Sequence, residues 1–345
     1  MCFSLQPSDF SLEKSFCMLA NIVTEWVARI QAGGRLTEAE ALRILQAKSA
    51  DLGWVLAGAQ QLRHYYRGSQ VGLCRIVNAK SGRCSEDCRF CAQSAHYQTD
   101  APVFALKSAD EMVADARRAA AEGACCFGIV TSGSRVAPGA ELDRVLAALR
   151  EIRRTTDLAP AASLGLLDET TALALAEAGC VTYHHNLETA RSFYPQICTT
   201  HDYQEDVDTV RLARQAGMRV CCGGLFGLGE SLAQRVELGL TLAELGVDSV
   251  PINFLNPIPG TPLAGQPRLA PMEGLRIVAL FRYLLPRAHI TVCGGRSSSL
   301  RDYQSWAFLA GASGMMVGDY LTTPGRVLED DLRMVTDGEL TYEPN

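Results

Sequence analysis

Three closely spaced cysteines stand in a polar stretch of the chain. Residues 80–97 read KSGRCSEDCRFCAQSAHY and carry Cys84, Cys88 and Cys91. Thiolates are the usual ligands of zinc and of iron–sulfur clusters, and a [4Fe–4S] cluster normally takes four cysteines, one for each iron. With three cysteines, one iron keeps a position for a ligand that is not protein. The spacing therefore indicates an iron–sulfur cluster with one open iron.

Two other interpretations of this stretch remain open. The thiols could bind zinc with a distant fourth ligand such as His96, or they could be the reduced thiols of an ordinary loop. Zinc prefers paired C-x2-C knuckles, and the sequence has no second knuckle. Elsewhere, Cys180 and Cys198 have apolar neighbours, and we interpret them as small buried hydrophobes.

Composition and charge narrow the class of protein. The 345 residues are 48% hydrophobic and carry a net charge of −6, which argues against a nucleic-acid partner because phosphate binding needs a basic face. No apolar run reaches the roughly 18 residues that a membrane span requires. Charged residues interrupt the first 14 positions, where a signal peptide needs an apolar core, so we expect a cytoplasmic protein.

The elements that must position the cysteines follow from hydrophobic periodicity. Residues 1–68 predict a helical extension, in which Thr37 and Glu40 form a capping box. Residues 69–345 alternate short apolar runs with amphipathic helices, a pattern typical of a parallel sheet covered on both faces. We predict a (β/α)8 TIM-type barrel, with an open doubly wound sheet as the alternative, and the cysteines at the carboxyl end of the first strand, where a barrel has its active site. The runs are 72–78, 125–131, 161–165, 181–185, 219–227, 249–255, 289–295 and 314–318.

With these motifs in hand, the chain resembles the biotin synthase family of radical S-adenosylmethionine enzymes. C-x3-C-x2-C with an aromatic residue before the third cysteine, here Phe90, is the superfamily signature. The resemblance covers roughly residues 70–325 and includes five further motifs in the family's order. They are YHHNLET (183–189), CTTHDYQE (198–205), VCCGGLFGLGE (220–230), SVPINFLNPIPGTPL (249–263) and GGRSSS (294–299).

The resemblance implies a reaction and its cofactors. The open iron of a [4Fe–4S] cluster would bind S-adenosylmethionine, whose reductive cleavage yields a 5′-deoxyadenosyl radical that abstracts hydrogen from dethiobiotin. An auxiliary iron–sulfur cluster would donate sulfur to form biotin, and flavodoxin or ferredoxin would supply electrons to a homodimer. The alternatives are a related radical enzyme without sulfur insertion, acting in a rearrangement or in cofactor maturation, and a zinc-stabilised binding module.

The resemblance also implies roles for particular residues. Contacts to S-adenosylmethionine are expected from Phe90, Glu188 and the Gly-rich run 226–230. That run consists of Phe226, Gly227, Leu228, Gly229 and Glu230. Dethiobiotin is expected to contact Asn186 and Asn253, whose amides offer both a donor and an acceptor to its ureido group. His184 lies at the same end, where commoner family members have Asn.

The auxiliary site departs from the family's usual pattern of three cysteines and an arginine. Gly128 and Ala161 stand at two of the cysteine positions, and only Cys221 has a clear counterpart. We therefore expect a different set of ligands, which holds either a [2Fe–2S] or a four-iron cluster. The candidates are Cys74, Cys221, Cys293 and Arg296, with Cys126 in reserve.

One substitution reverses a charge. Asp206 stands where many family members have an arginine near the cofactor carboxylate. Arg211 or Arg214 on the same helix is the expected compensation.

Overall fold

Nine parallel strands form a closed barrel in the computed structural model, which describes residues 9–342. The seventh strand pairs with the sixth and also with the fifth, where Cys221 lies in register with Ser249, and these pairings close the sheet. The predicted barrel is confirmed and the open sheet is excluded. The strands are β1 Gly72–Lys80, β2 Cys126–Thr131, β3 Ala159–Ser163, β4 Thr182–His184, β5 Arg219–Cys221, β6 Gly224–Phe226, β7 Ser249–Phe254, β8 His289–Val292 and β9 Gly314–Met316.

The predicted strand at 219–227 is interrupted, so β5 and β6 share one of the eight positions in the barrel. Gly223 lies at the interruption, and a Cβ there would come within 2.1 Å of the carbonyl oxygen of Pro251 on β7. The backbones of the two strands therefore approach more closely than any side chain at residue 223 allows.

Alternation along the strands separates the helix-facing side chains from those of the barrel interior. On β1, Leu73, Val77 and Ala79 are buried in the apolar layer beneath the helices. Cys74 has the opposite phase and therefore faces the interior. The same rule turns Phe127 outward on β2 and Cys126 inward, because the two cysteines lie in register.

Helices cover the barrel, and three of them precede β1. Trp26 of the first helix packs edge-on against Tyr283 at 6.2 Å between ring centroids, and the Tyr283 hydroxyl donates to the Val55 carbonyl at 2.9 Å. The predicted capping box of Thr37 and Glu40 is present. Residues 1–8 of the predicted extension lie outside the described residues. The helices are α1 Asp9–Gln31, α2 Glu38–Gln46, α3 Ser49–Arg67, α4 Ala109–Ala121, α5 Ala140–Thr155, α6 Glu169–Glu177, α7 Tyr203–Gln215, α8 Leu232–Leu245, α9 Pro271–Leu284, α10 Arg296–Leu300, α11 Trp306–Leu309 and α12 Leu328–Asp337, with 3-10 turns at Tyr194–Gln196 and Arg301–Tyr303.

Within residues 9–342, no helix combines the length and the apolar character that crossing a membrane requires.

Candidate cluster and cofactor site

The loop after β1 brings the three cysteines of the motif to one cavity. Its first turn uses left-handed backbone at Gly82 and Arg83, with φ of 78° and 54°. The Cys84 N–H donates to the Gln93 carbonyl at 3.0 Å, and the Cys91 N–H donates to the Cys88 carbonyl at 2.9 Å. These bonds close the loop on itself, so all three thiols line the same cavity.

Two thiols of this loop, those of Cys88 and Cys91, are costly to ionise unless a cation accompanies them. The pKa of Cys88 lies well above its usual range because its thiol is hydrogen-bonded to Cys198 and because it is buried. Burial raises the pKa of Cys91 to about 11, and the nearby Cys84 thiol adds to the increase. A cationic iron–sulfur core would remove this cost, since thiolates are stabilised by the metal they bind. The donor set therefore fits a cluster with three cysteine ligands.

The cavity beside the thiols has a volume of about 290 Å³ and lies at the carboxyl ends of β2, β3 and β4. Glu188 reaches it with a left-handed backbone, φ 60°. Burial raises the pKa of the Glu188 carboxyl to about 7, although a hydrogen bond from Asn186 opposes the shift. His184 also lines this cavity, and burial lowers its pKa to about 4, so the ring is neutral near pH 7.

A second cavity of about 250 Å³ shares six residues of its wall with the first: Phe90, Cys91, Gln93, Asn186, Glu188 and Leu321. Asn253 lines only the second. Sequence reasoning thus selected side chains that the fold does bring together, from β1, β4 and β7. Four of these side chains line both cavities: Cys91, Phe90, Asn186 and Glu188.

Both asparagines also brace the backbone. The Asn253 Oδ1 accepts the Gly294 N–H at 2.9 Å, and its Nδ2 donates to the Gly224 carbonyl at 3.4 Å. The Asn186 Oδ1 accepts the Gly223 N–H at 3.2 Å. Each amide therefore joins neighbouring strand ends while it lines the cavity.

Residues 226–230 make internal contacts, and their expected contact with the cofactor stays a prediction. The buried Glu230 carboxylate accepts the N–H groups of Gly227 at 3.0 Å and Leu228 at 2.7 Å, and pairs with Arg235 at 2.7 Å. The Phe226 ring packs in the core against a phenylalanine of α9. Residues 226–230 line neither cavity, and of this motif Leu225 reaches the second one.

Four cysteines converge in the barrel interior, below the cavities. Cys74 and Cys126 lie in register on β1 and β2, and their thiols are hydrogen-bonded. Cys221 ends β5 and Cys293 follows β8, and each interacts electrostatically with Cys74. Hydrogen bonding to Cys74 and burial raise the pKa of Cys126 well above its usual range, and burial raises that of Cys293. Thiols from β1, β2, the end of β5 and the residue after β8 therefore interact with one another in the barrel interior.

Arg296 contacts side chains outside the cysteine group, and its ligand role stays a prediction. Its buried guanidinium pairs through Nη2 with Asp331 of α12, 35 residues along the chain, and donates through Nη1 to Gln304 at 2.5 Å. Its positive charge also acts on Cys293, whose raised pKa it opposes. The pKa of Asp331 is raised by burial and held down by Arg296.

Sequence reasoning missed a polar cluster beside the cysteine loop. Cys198, interpreted from sequence as a buried hydrophobe, contacts the Cys88 thiol and lies 3.4 Å from Nδ1 of His201. His201 also hydrogen-bonds Glu86 at 2.6 Å and Asp206 at 3.2 Å. The signal in the sequence was CTTHDYQED, which has a thiol, an imidazole and carboxylates within nine residues.

Asp206 is compensated by histidines rather than by arginine. His185 donates to its carboxylate at 2.7 Å, and although burial opposes the shift, the histidine hydrogen bonds lower the pKa of Asp206 to about 2. The expected partners have other contacts: Arg211 pairs with Asp208, and Arg214 pairs with Asp248.

Comparisons with known proteins agree with this arrangement. Residues 79–254 match the model of the Radical SAM superfamily, and residues 251–341 match the Biotin and Thiamin Synthesis associated domain. A biotin synthase from Syntrophotalea carbinolica is 70% identical over 94% of this chain and 99% of its own length. One from Geobacter sulfurreducens is 58% identical over 91% and 95%. A crystal structure of methylornithine synthase covers 93% of this chain and 97% of its own, with a TM-score of 0.80 and 19% identity, a likeness of fold alone.

A parallel barrel with three convergent cysteines after its first strand defines a radical S-adenosylmethionine enzyme. Such an enzyme uses a [4Fe–4S] cluster and S-adenosylmethionine. Within that class, the chain belongs to the biotin synthase family.

Proposed function

We propose that the enzyme converts dethiobiotin to biotin by radical sulfur insertion, with Cys84, Cys88 and Cys91 as the ligands of its catalytic cluster. One observation carries the proposal: the three thiols open onto a cavity whose wall continues into a second one that holds Asn253. When bound, the cluster and S-adenosylmethionine supply one-electron chemistry that removes hydrogen from an unactivated carbon. The chain's own side chains bind, orient and shield the reactants.

Glu188 and the two asparagines supply the polar contacts of the cavity. Burial has already removed water from the Glu188 carboxyl and raises its pKa to about 7. The carboxyl can therefore accept a hydrogen bond from the amino or hydroxyl groups of the cofactor with little further desolvation. Asn253 bonds the backbone through both Oδ1 and Nδ2, and Asn186 bonds Gly223 and Glu188, so both amides are fixed in orientation. Each keeps one further N–H and one further lone pair for a ureido group. Phe90 adds an apolar wall at the junction of the two cavities.

His184 contributes a neutral imidazole to the substrate end of the cavity. Its low pKa, about 4, keeps it uncharged near pH 7. A neutral ring next to a reacting carbon can donate or accept one hydrogen bond without adding a charge to a desolvated site.

The auxiliary cluster is assigned to Cys74, Cys126, Cys221 and Cys293. The register of β1 with β2 and the mutual interaction of the four thiols support this set, which replaces Arg296 by Cys126. Four thiolates are the usual complement of a four-iron cluster, so we favour that type over [2Fe–2S] as the sulfur source.

The remaining features of the proposal concern organisation and partners. Residues 1–68 are a helical extension and residues 69–345 the catalytic barrel, because α3 ends at Arg67 and β1 begins at Gly72. Flavodoxin or ferredoxin is the electron donor, the enzyme is a homodimer, and it acts in the cytoplasm.

Anaerobic reconstitution with iron and sulfide tests the proposal. We expect about eight irons per chain, two four-iron clusters, and biotin formed from dethiobiotin with S-adenosylmethionine and a reductant. About six irons would indicate a [2Fe–2S] auxiliary cluster. About four irons, with S-adenosylmethionine cleaved and no biotin formed, would contradict sulfur insertion.

A further inference from the structure

A group of metal-binding side chains lies beside the three thiols of the cysteine loop, and one member, Glu86, belongs to that loop. The Sγ of Cys198 is 3.4 Å from Nδ1 of His201, and that nitrogen is 2.6 Å from Oε2 of Glu86. All three ligand atoms lie within 4.8 Å of one another. Within the described part of the chain, no other trio of histidine, cysteine and acidic side chains meets this geometric criterion.

These distances fit a tetrahedral zinc site. With Zn–S of about 2.3 Å and Zn–N of about 2.0 Å, a tetrahedral ion separates its sulfur and nitrogen ligands by about 3.5 Å. Cys198 and His201 already have that separation. The Glu86 oxygen must move away from His201 by less than about 1 Å to reach the corresponding separation of roughly 3.3 Å.

Other hydrogen bonds hold the two loops that carry these residues. Asp87 accepts the Thr199 N–H at 2.8 Å and the Thr199 hydroxyl at 2.5 Å. The Thr200 hydroxyl donates to Glu86 at 2.5 Å. The ligands are therefore aligned before an ion binds, which lowers the entropic cost of forming the site.

A candidate for a fourth ligand is also present. The Cys88 thiol is hydrogen-bonded to Cys198, but its sulfur is not within 4.8 Å of all three ligand atoms, so it must move toward an ion that they hold. Glu86, Cys198 and His201 all line the three-cysteine cavity, and Cys198 and His201 also line a surface cleft of about 560 Å³. An ion can therefore reach the group from either space.

We propose that Glu86, Cys198, His201 and Cys88 bind one thiophilic divalent cation of the zinc type in the chain that has not yet received its catalytic cluster. Zinc binding at Cys88 and cluster assembly then exclude each other, because one thiolate cannot serve both sites. This competition rests on the proposed role of Cys88 as a cluster ligand, whereas the cation site itself does not.

The test is a titration of the full-length, cluster-free chain with Co²⁺ under anaerobic conditions, followed by absorption. We expect one Co²⁺ per chain with a sulfur-to-cobalt charge-transfer band. A Cys84→Ser/Cys91→Ser double variant should retain this binding. His201→Ala and Glu86→Gln should each weaken it by at least the ~10- to 100-fold that loss of a supporting partner causes.

The competing explanation is a zinc site made by the three cysteines of the motif alone. In that case the double variant loses the charge-transfer band and His201→Ala keeps it, and the proposal is wrong. Glu86 and His201 are partly exposed, so we expect both variants to fold, and circular dichroism checks this. If one variant is unfolded, the Co²⁺ affinity of the other tests the proposal. The matched control is Cys180→Ser. The Cys180 thiol contacts the Thr182 carbonyl and is not one of the proposed ligands, so this variant should bind Co²⁺ like the parent.

Competition is measured separately from binding. Parent protein preloaded with Zn²⁺ should incorporate the catalytic cluster more slowly than zinc-free protein, while His201→Ala should show no difference. If zinc-free parent forms no cluster at all, the proposed function fails, and the cobalt titration still decides the cation site. Equal slowing by zinc in parent and His201→Ala would overturn the proposed competition.

Discussion

The ring of His184 lies against Gly128 inside the barrel. A Cβ at Gly128 would be 3.6 Å from Cε1 of that ring and 3.3 Å from Cγ2 of Ile76. The resemblance to the family leads us to expect a cysteine ligand at position 128, so the imidazole takes space near that of the missing thiol. Gly128 lies on β2 and His184 ends β4.

This packing predicts a coupling between two substitutions. Gly128→Cys alone should lower the free energy of unfolding by about 1–3 kcal/mol, because the new side chain meets the His184 ring and Ile76. His184→Asn removes part of the ring, so the double variant should recover most of that loss. Urea denaturation of the four proteins of the double-mutant cycle measures the coupling, and purely additive effects would show that the two residues do not share space.

Cys88→Ala should abolish cleavage of S-adenosylmethionine. Two thiolates hold a four-iron cluster poorly, so iron content should fall together with the yield of 5′-deoxyadenosine. Chemical iron analysis and chromatography of the reaction measure both quantities. Cys180→Ser is the control with normal iron and activity, and parental 5′-deoxyadenosine formation by Cys88→Ala would refute its assignment as a ligand.

Cys221→Ala should separate the two halves of the reaction. Because Cys221 belongs to the interior thiols and lines neither cavity, S-adenosylmethionine cleavage should continue while biotin formation stops. Iron per chain should fall by the content of one cluster. The measurement is parallel assay of 5′-deoxyadenosine and biotin; loss of both from a folded variant would argue against a separate auxiliary cluster.

Glu188→Gln should change how stability depends on pH. Burial raises the pKa of Glu188 from 4.5 to about 7, so the folded state keeps a proton that the unfolded state releases, and the parent loses stability as pH rises from about 4.5 to 7. The glutamine variant lacks this loss. Its free energy of unfolding should therefore rise relative to that of the parent between pH 5 and pH 8, as measured by urea denaturation without ligands. His184→Asn should show the opposite pH dependence. Burial lowers the pKa of His184 from 6.5 to about 4, so the free energy of unfolding of this variant should rise relative to that of the parent as pH falls through that range.

The buried pair of Arg296 and Asp331 should be structural. Asp331→Asn leaves the guanidinium without its counter-charge and should cost about 3–5 kcal/mol of unfolding free energy, measured by denaturation. The double variant Arg296→Met/Asp331→Leu should be closer to the parent. Iron per folded chain should be the same in all of them, and a loss of auxiliary iron in the double variant would restore Arg296 as a ligand.

Much of the site followed from local sequence patterns. The spacing of Cys84, Cys88 and Cys91 is a property of one short loop, and the alternation of strands and helices located that loop at a carboxyl strand end. Each of these inferences depends on residues that are near one another in the chain.

The features that sequence reasoning missed depend on which segments become neighbours when the barrel closes. Arg296 meets Asp331 across 35 residues, and Asp87 meets Thr199 across 112. That second contact brings Cys198 to Cys88, and it gives an apparently ordinary buried thiol a place beside the catalytic loop. The sequence by itself determined the barrel and the three-cysteine loop, because these follow from periodicity and spacing. Only the tertiary structure decided the partners of Arg296, Asp206, Cys198 and Glu230, because a charged or polar side chain pairs with whatever the fold brings within hydrogen-bond distance.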